Sequence, residues 1–324
     1  MYLKRKALYI VLTNIFLVCL IFIGFDAYTF YNCSKREIHY TDFKSFYKRY
    51  VNFYKVQFSS KDKTYFYNQY ILGKFPNGDA FYKSVVNSDS PLEPILLFGC
   101  SYTEGYKIPE RSAAHEVFGR YTQRPVYSRA KGGFGTDLML YQLQNEDFYK
   151  IIPKPKYVIY TFICDHYRRM KMPCMPYLHC LYDIFYKIKN DKLELMKNQN
   201  KICFFSLTKE LIFYLFFQEK NNSYKNSVKN LMLSELLECN RLIKAHWRDS
   251  EFIIFVYTQK YNPLEELTDK LKENGIKVIH RRNVAPFDDS DERYTLSKTD
   301  EHPNEKAWEY IVPLLMKYIE KDNN

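Results

Sequence analysis

Short, continuous apolar runs recur through the second two-thirds of the chain. Four of them are Ile95–Phe98, Tyr157–Phe162, Phe252–Tyr257 and Ile276–Ile279. Uninterrupted apolar residues of this length are typical of strands that are buried on both faces of a parallel sheet. We therefore predict a buried strand at each run.

Helical patterns separate these predicted strands. They cover Glu110–Tyr121, Thr136–Phe148, Ser234–Trp247 and Leu264–Asn274, and Gly275 stands where a C-cap glycine is expected. Strands that alternate with helices favour right-handed βαβ units and a parallel sheet. The pattern predicts an α/β protein, a three-layer α/β/α sandwich around a central parallel sheet.

Two regions do not follow the alternation. Residues 27–90 are polar and aromatic with weak periodicity, and we expect a stalk or N-terminal extension that contains a helix near Tyr40–Tyr54. Residues from about 170 to 230 are rich in aromatics and lysine, and we interpret them as an insertion over the carboxyl edge of the sheet, where open α/β folds bind ligands. The main domain is then 91–324.

The first 26 residues predict a membrane anchor. Lys4, Arg5 and Lys6 precede the apolar run Ala7–Phe25, which as a helix spans about 28 Å, the thickness of a bilayer's hydrocarbon core. The basic cluster predicts a cytoplasmic N-terminus and a single-pass protein whose remainder is extracytoplasmic. A cleaved signal peptide is the alternative, but no small-x-small cleavage site follows the run.

The charge balance is basic, with 48 Lys and Arg against 37 Asp and Glu and a net charge of +11. Such a balance suits nucleic acid, an anionic membrane surface or an anionic envelope polymer. Here the charge is spread along the chain, and no zinc-finger or RNA-binding signature accompanies it. We therefore expect a solvated, lysine-rich surface and no nucleic-acid partner.

The eight cysteines show no ladder of spacings like that of a disulfide-rich scaffold. Cys174 and Cys180 are close enough in sequence to pair in an oxidising compartment, although the sequence does not establish the bond. A zinc site formed by these two cysteines and His179 lacks the usual ligand spacing, so no metal is expected.

The first loop that could carry chemistry is Phe98–Gly105, at the end of the first predicted strand. Ser101 lies at its tip between Gly99 and Gly105, where a hydroxyl can project into a crevice at the sheet edge. A turn serine that caps the next helix is the alternative. The nucleophile elbow of α/β-hydrolases is excluded, because Thr103 stands where G-x-S-x-G needs its second glycine.

Two further loops complete the set. Lys131–Asp137 is glycine-rich and leads into a helix, so its backbone N–H groups can face a ligand, although a flexible turn is equally consistent. Near the C-terminus, Asp300 precedes His302 by two residues, ahead of an amphipathic helix. A carboxylate so placed can fix the tautomer of an imidazole that acts as a base, although a surface loop is the alternative. Helical spacing places Trp308, Ile311, Leu315 and Tyr318 on one face of that helix.

Together the three loops, in this order on an α/β scaffold, resemble the SGNH or GDSL-type hydrolase superfamily from about residue 94 to 318. The first block of that family is G-D-S, and Gly99–Thr103 reads as its loosened form G-C-S-x-T. The resemblance implies a flavodoxin-like parallel sheet. It also implies Ser101 as nucleophile, with its own N–H in the oxyanion hole, and Gly133 as the second donor.

The last block of the family commonly reads D-x-H-P-N, and residues 300–304 fit it. The resemblance implies His302 as general base and Asp300 as the residue that orients it. The chain departs from the family's G-x-N-D block, because Cys164 occupies the asparagine position. A thiol is a weak hydrogen-bond donor. Losing one oxyanion donor costs about 100- to 1000-fold in rate. Candidate substitutes are His166 above all, then Asp165, Arg168 and Arg169. A slow enzyme is one alternative, and a loop that Asp165 and His166 only tie together is another.

The resemblance implies an esterase that uses a Ser-His-Asp triad and needs no metal or organic cofactor. Its predicted place beside the cell envelope suggests acylated carbohydrate as the substrate, with removal of O-acetyl groups as the reaction. An O-acetyltransferase that depends on a multi-span membrane partner for its acyl donor is an alternative, and a phospholipase is another. A non-catalytic glycan-binding protein on the same fold is the alternative that the Cys164 departure keeps open.

Overall fold

The computed structural model describes residues 82–83, 89–171, 184–197, 222–258, 264–298 and 300–321. Within these ranges no helix is both long and apolar enough to cross a membrane. The predicted anchor at 1–26, the helix near Tyr40–Tyr54 and the pair Cys174 and Cys180 lie outside them, so these predictions stay predictions.

A sheet of six strands forms the centre of the described region. Five strands are parallel, and a two-residue strand pairs antiparallel at one edge. The strands in chain order are β1 Tyr82–Lys83, β2 Ile95–Phe98, β3 Val126–Ser128, β4 Tyr157–Phe162, β7 Glu251–Val256 and β8 Lys277–His280, and a separate antiparallel hairpin contains β5 Ile184–Lys189 and β6 Lys192–Lys197.

The order of strands across the sheet is β1-β3-β2-β4-β7-β8. Counted along the chain, the five parallel strands therefore lie in the order 2-1-3-4-5, which is the flavodoxin-like, doubly wound arrangement. The direction of winding reverses between β2 and β4, and ligands of such folds bind at the carboxyl ends of the strands at this switch point. The loops that follow β2 and β4 are therefore the expected position of a site.

Helices cover both faces of the sheet. They are α1 Ser101–Glu104, α2 Ala114–Thr122, α3 Thr136–Leu143, α4 Glu146–Ile151, α5 Cys164–Lys171, α6 Asn222–His246, α7 Thr268–Glu273, α8 Arg281–Val284 and α9 Glu305–Lys321, with 3₁₀ turns at Glu110–Ser112 and Glu265–Leu267.

The strands contribute alternate residues to two separate apolar cores. Ile95 and Leu97 of β2 face a core shared with α2 and α9, whereas Leu96 and Phe98 face a core shared with α3 and α6. This alternation repeats along β4 and β7, and it follows from the two-residue period of a strand. Because both faces are buried, the central strands β2, β4 and β7 read as nearly continuous apolar runs in the sequence, and the architecture is the predicted three-layer sandwich.

The predicted elements differ from the structure mainly at their boundaries. The helix expected at Thr136–Phe148 is two helices, α3 and α4, because the chain turns at Gln144 and Asn145. Gly275 has the left-handed φ of +73° that suits the residue after a helix. Tyr318 is 38% exposed and lies outside the buried face of α9. The described part of the predicted insertion contains the β5–β6 hairpin and the first residues of α6.

Candidate active site

Ser101 is the first residue of α1, directly after the carboxyl end of β2. The turn that presents it is tight: a Cβ added at Gly99 would lie 2.3 Å from Thr103 Oγ1, and the side chain of Thr103 is buried. Only glycine allows α1 to begin so close to the strand. The local sequence thereby places a serine hydroxyl at the switch point of the sheet.

A chain of hydrogen bonds joins the three residues singled out as nucleophile, base and orienter. Ser101 Oγ lies 2.9 Å from His302 Nε2, and His302 Nδ1 lies 2.6 Å from Asp300 Oδ1. Asp300 Oδ1 also accepts the His302 backbone N–H at 3.3 Å. Since one imidazole nitrogen faces the carboxylate, the other is the nitrogen available to accept the serine proton. The structure thus brings Ser101 together with a histidine 201 positions away in the arrangement of a serine-hydrolase triad.

The loop that carries His302 is fixed by backbone pairing with residues 294–296. Thr295 and Pro303 form an isolated antiparallel bridge, and Leu296 N–H donates to His302 O at 3.0 Å. Asn304 Nδ2 donates to Thr295 O at 3.0 Å, and Asn304 Oδ1 accepts from Lys306 N–H in the first turn of α9. The Pro-Asn pair after the histidine therefore joins the base to the helix that follows it.

Two tyrosines enclose the imidazole of His302. The ring of Tyr102, which is buried, lies 4.7 Å from the imidazole between centroids, and the ring of Tyr106, which is 43% exposed, lies at 4.8 Å. Trp308 Nε1 donates to Tyr102 O at 3.0 Å and so ties α1 to α9. Neither tyrosine was predicted from the sequence, although their proximity to Ser101 in the chain is a usable signal.

Asp300 is held in its ionised form. Partial burial opposes ionisation, but hydrogen bonds and the charge interaction with His302, together with the ammonium of Lys107, outweigh it and lower the pKa of Asp300 below its usual value. Lys107 Nζ lies 3.4 Å from Asp300 Oδ2, and it also lies over the Tyr106 ring at 4.8 Å from the centroid. Lys107 has a left-handed φ of +59°, a conformation that an ordinary residue adopts at some cost. The contact between Lys107 and Asp300 was not predicted from the sequence.

The glycine-rich loop lies against the nucleophile. A Cβ added at Gly132 would be 3.9 Å from Ser101 Cβ, so this loop borders the serine. The Gly132 N–H itself donates to Glu104 Oε2 at 2.6 Å, and Lys131 Nζ donates to Glu104 Oε1 at 2.6 Å. The next residue, Gly133, has a left-handed φ of +85°. Its role as a second oxyanion donor stays a prediction.

The third block differs from what the sequence suggested for His166. This residue has no exposed surface, and its Nδ1 lies 2.6 Å from the hydroxyl of Tyr160, which in turn lies 3.1 Å from Thr136 Oγ1. A side chain enclosed in this way does not contact a bound substrate, so in this arrangement His166 does not supply the missing donor. The physical reason is the turn at the start of α5, which directs this side chain into the core beside Tyr160 rather than toward the sheet edge.

Cys164 occupies the asparagine position as the first residue of α5, and its backbone N–H donates to Thr258 Oγ1 at 3.0 Å. It is half-buried and is not part of a disulfide. Asp165 is also half-buried, whereas the side chains of Arg168 and Arg169 lie outside the described part of the structure. Among the described candidates of this block, Cys164 and Asp165 are therefore the ones that are partly exposed.

Among the described residues, one group offers atoms in a metal-binding arrangement. Ligand atoms of Glu110, in the 3₁₀ turn before α2, and of His115 and Glu116, in the first turn of α2, lie within 4.8 Å of one another. Burial lowers the pKa of His115 despite the two neighbouring carboxylates. None of these residues belongs to the Ser101–His302–Asp300 chain, so the triad chemistry does not draw on them.

No protein-family model and no curated protein sequence matches the chain. An acetyl xylan esterase from the rumen bacterium Butyrivibrio proteoclasticus is similar in structure over 72% of this chain and 65% of its own, with 10% identity and a TM-score of 0.44. The chain therefore spans 65% of that esterase's length.

Two smaller proteins are similar over nearly their whole length. A lipase from a goat rumen metagenome is matched over 70% of this chain and 97% of its own, with 15% identity and a TM-score of 0.41. A member of the lipolytic G-D-S-L family from Veillonella parvula is matched over 70% and 97%, with 13% identity and a TM-score of 0.38. Such likeness concerns the fold. The described part of the chain has a flavodoxin-like, doubly wound α/β fold with a 2-1-3-4-5 sheet, a serine directly after the first parallel strand and Asp-x-His before the last helix.

Proposed function

We propose that this chain is a serine ester hydrolase that works through Ser101, His302 and Asp300. The observation that carries the proposal is the hydrogen-bond chain of 2.9 and 2.6 Å at the carboxyl edge of the sheet. A serine that is merely a helix cap does not require an imidazole at its hydroxyl and an ionised carboxylate behind that imidazole. This arrangement is the one that activates a serine for attack on a carbonyl.

In the proposed reaction, His302 Nε2 removes the proton of Ser101 Oγ as that oxygen attacks the ester carbonyl. The tetrahedral intermediate places its negative oxygen near the Ser101 N–H, which as the first amide of α1 has no acceptor within the helix. We assign the second donor to the Gly133 N–H. The leaving alcohol takes the proton from His302, and water, activated by the same imidazole, then releases the acid and regenerates Ser101.

We propose acylated carbohydrate as the substrate, with acetate as the acid released. The support is the predicted position of the domain outside the cell, held to the membrane by residues 1–26, next to envelope glycans. The acetyl xylan esterase described above acts on such an ester, and the proposal extends that substrate class to this chain. A phospholipid would be the competing ester at the same location.

A second candidate function is non-catalytic glycan binding on the same fold. The observation that favours it is Cys164 in the place of the donor asparagine, together with the enclosure of His166. Either feature weakens stabilisation of an oxyanion without affecting the binding of an ester in the ground state.

The test is acetate release from acetylated xylan and from xylose tetraacetate by the full-length chain, purified in detergent. We expect release by the wild type and none by Ser101→Ala, which keeps the fold because the hydroxyl is the only group removed. Binding of both substrates by wild type and variant alike, without acetate release from either, would instead support the glycan-binding candidate.

A further inference from the structure

Glu104 is the last residue of α1, three positions after the nucleophile. Its side chain is about one-quarter exposed, and both of its carboxylate oxygens accept hydrogen bonds from the glycine-rich loop. Gly132 N–H donates to Oε2 and Lys131 Nζ donates to Oε1, each at 2.6 Å. Hydrogen bonds to an ionised acceptor are shorter and roughly twice as strong as those between neutral groups.

Backbone hydrogen bonds also hold the two ends of the glycine-rich loop near the serine. Lys131 N–H donates to Gly99 O at 3.2 Å, and Phe134, which is buried, donates its N–H to Lys131 O at 2.9 Å. Between these points stand Gly132 and Gly133, which have no side chains to hold them in place. The Glu104 carboxylate holds the middle of this loop through the Gly132 N–H and the Lys131 ammonium.

The position of that contact matters because the loop borders the reacting hydroxyl. A Cβ added at Gly132 would lie 3.4 Å from Glu104 Oε2 and 3.9 Å from Ser101 Cβ, so Glu104 and Ser101 both lie against the same glycine. A displacement of a catalytic group by about 1 Å can reduce a rate by about 100-fold. A backbone N–H that donates a hydrogen bond to the oxyanion must be positioned with the same precision.

We propose that Glu104 is a positioning residue for the oxyanion site. Its carboxylate fixes the Gly132 amide and the Lys131 ammonium, and this holds the adjoining Gly133 amide beside Ser101. The inference rests on the proposed ester hydrolysis, but it makes a separate claim about the loop. Glu104 itself neither contacts the reacting atoms nor exchanges a proton with them.

The variants that test this role are Glu104→Ala, Glu104→Gln and Lys131→Met, with Glu266→Gln as the matched control. Glu266 also pairs with a lysine, Lys229, but on the 3₁₀ turn before α7. Ethyl acetate hydrolysis gives kcat and KM for each variant. Glu104→Ala is expected to lower kcat by about 10- to 100-fold with KM unchanged, because the oxyanion exists only after attack begins.

Glu104→Gln keeps one acceptor oxygen, and Lys131→Met keeps the Gly132 hydrogen bond. Each is therefore expected to lower kcat less than Glu104→Ala does and to leave KM unchanged. Glu266→Gln is expected to match the wild type. A folded Glu104→Ala variant with wild-type kcat would overturn the inference, and so would a variant in which KM rises while kcat is unchanged. If Glu104→Ala does not fold, Glu104→Gln and Lys131→Met replace it, and wild-type kcat in both variants would overturn the inference.

A measurement that does not depend on activity separates this inference from the proposed function. The chain has 10 glycines, so ¹⁵N-glycine labelling gives a simple amide spectrum in which the Gly132 N–H can be followed. We expect its hydrogen exchange to be at least tenfold faster in Glu104→Ala than in the wild type. Unchanged exchange would refute the role of Glu104 even in an active enzyme, whereas an inactive wild type with a protected Gly132 amide would refute the ester hydrolysis alone.

Discussion

Replacing Asp300 by asparagine exchanges one carboxylate oxygen for an NH₂ group at the base of the triad. The wild-type carboxylate uses Oδ1 for His302 and Oδ2 for the ammonium of Lys107. In the variant only one of these positions can be occupied by an oxygen. Because Lys107 is a cation with no acceptor capacity, it favours the amide oxygen on its own side, and we expect this preference to outweigh that of the His302 backbone N–H, which donates to Oδ1 at 3.3 Å. The NH₂ group then faces His302 Nδ1.

This orientation forces the imidazole into the wrong tautomer. With Nδ1 accepting a hydrogen bond, the proton resides on Nε2, which can no longer accept the proton of Ser101. The loss for a tautomer error in a serine triad is about 10⁴-fold. We expect Asp300→Asn to lower kcat/KM for ethyl acetate by about 10³- to 10⁴-fold, or about 4–5.5 kcal/mol of transition-state stabilisation.

The structure also predicts a partial rescue. Adding Lys107→Met to Asp300→Asn removes the cation, so the amide can turn its oxygen toward the His302 Nδ1–H and backbone N–H. The double variant should be about tenfold more active than Asp300→Asn. Lys107→Met alone should lower kcat/KM at most about fivefold, because water screens the half-exposed pair of Lys107 and Asp300.

Steady-state kinetics of ethyl acetate hydrolysis measure kcat/KM for these variants. Asp249→Asn is the control, since Asp249 is exposed and pairs with Lys154 far from the triad. Activity of Asp300→Asn within tenfold of the wild type would refute the assignment of Asp300. A double variant no more active than the single one would refute the role of Lys107.

Three further predictions concern other parts of the structure. Cys164→Asn should raise kcat about tenfold or more by restoring an oxyanion donor, as measured by ester hydrolysis. Gly99→Ala should lower the free energy of unfolding in urea by about 1–3 kcal/mol, because its Cβ would overlap Thr103. Burial raises the pKa of Asp137 to about 6. Ionising this carboxyl in the folded protein therefore costs stability, and this cost is absent below pH 4 and grows toward pH 6. Asp137→Asn should raise the free energy of unfolding by about 1–3 kcal/mol at pH 7 but not at pH 4.

The buried strands could be predicted from the sequence because burial on both faces leaves a continuous apolar run. Ile95–Phe98 and Tyr157–Phe162 were placed at their observed bounds, and the other two strands were displaced by one residue. Strand β3 was missed, since Val126–Ser128 is only three residues long and Tyr127 is half-buried. A run so short carries no periodicity to recognise.

Candidate residues within the motifs could likewise be found, because Ser101, Asp300 and His302 belong to short local patterns. What surrounds them depends on distances between segments far apart in sequence. The contact of Lys107 with Asp300 and the enclosure of His302 by Tyr102 and Tyr106 arise only when α1 and the last loop meet. His166 was misplaced for the same reason, since a position next to the motif does not reveal which way a helical side chain points.

The most direct test of the account is whether Ser101 is an activated nucleophile. The full-length chain in detergent is treated with a fluorophosphonate probe beside Ser101→Ala and His302→Ala, and the extent of covalent labelling is measured. The account predicts labelling of the wild type at Ser101 and loss of labelling in both variants. A folded wild type that does not react, or labelling that persists in Ser101→Ala, would contradict it.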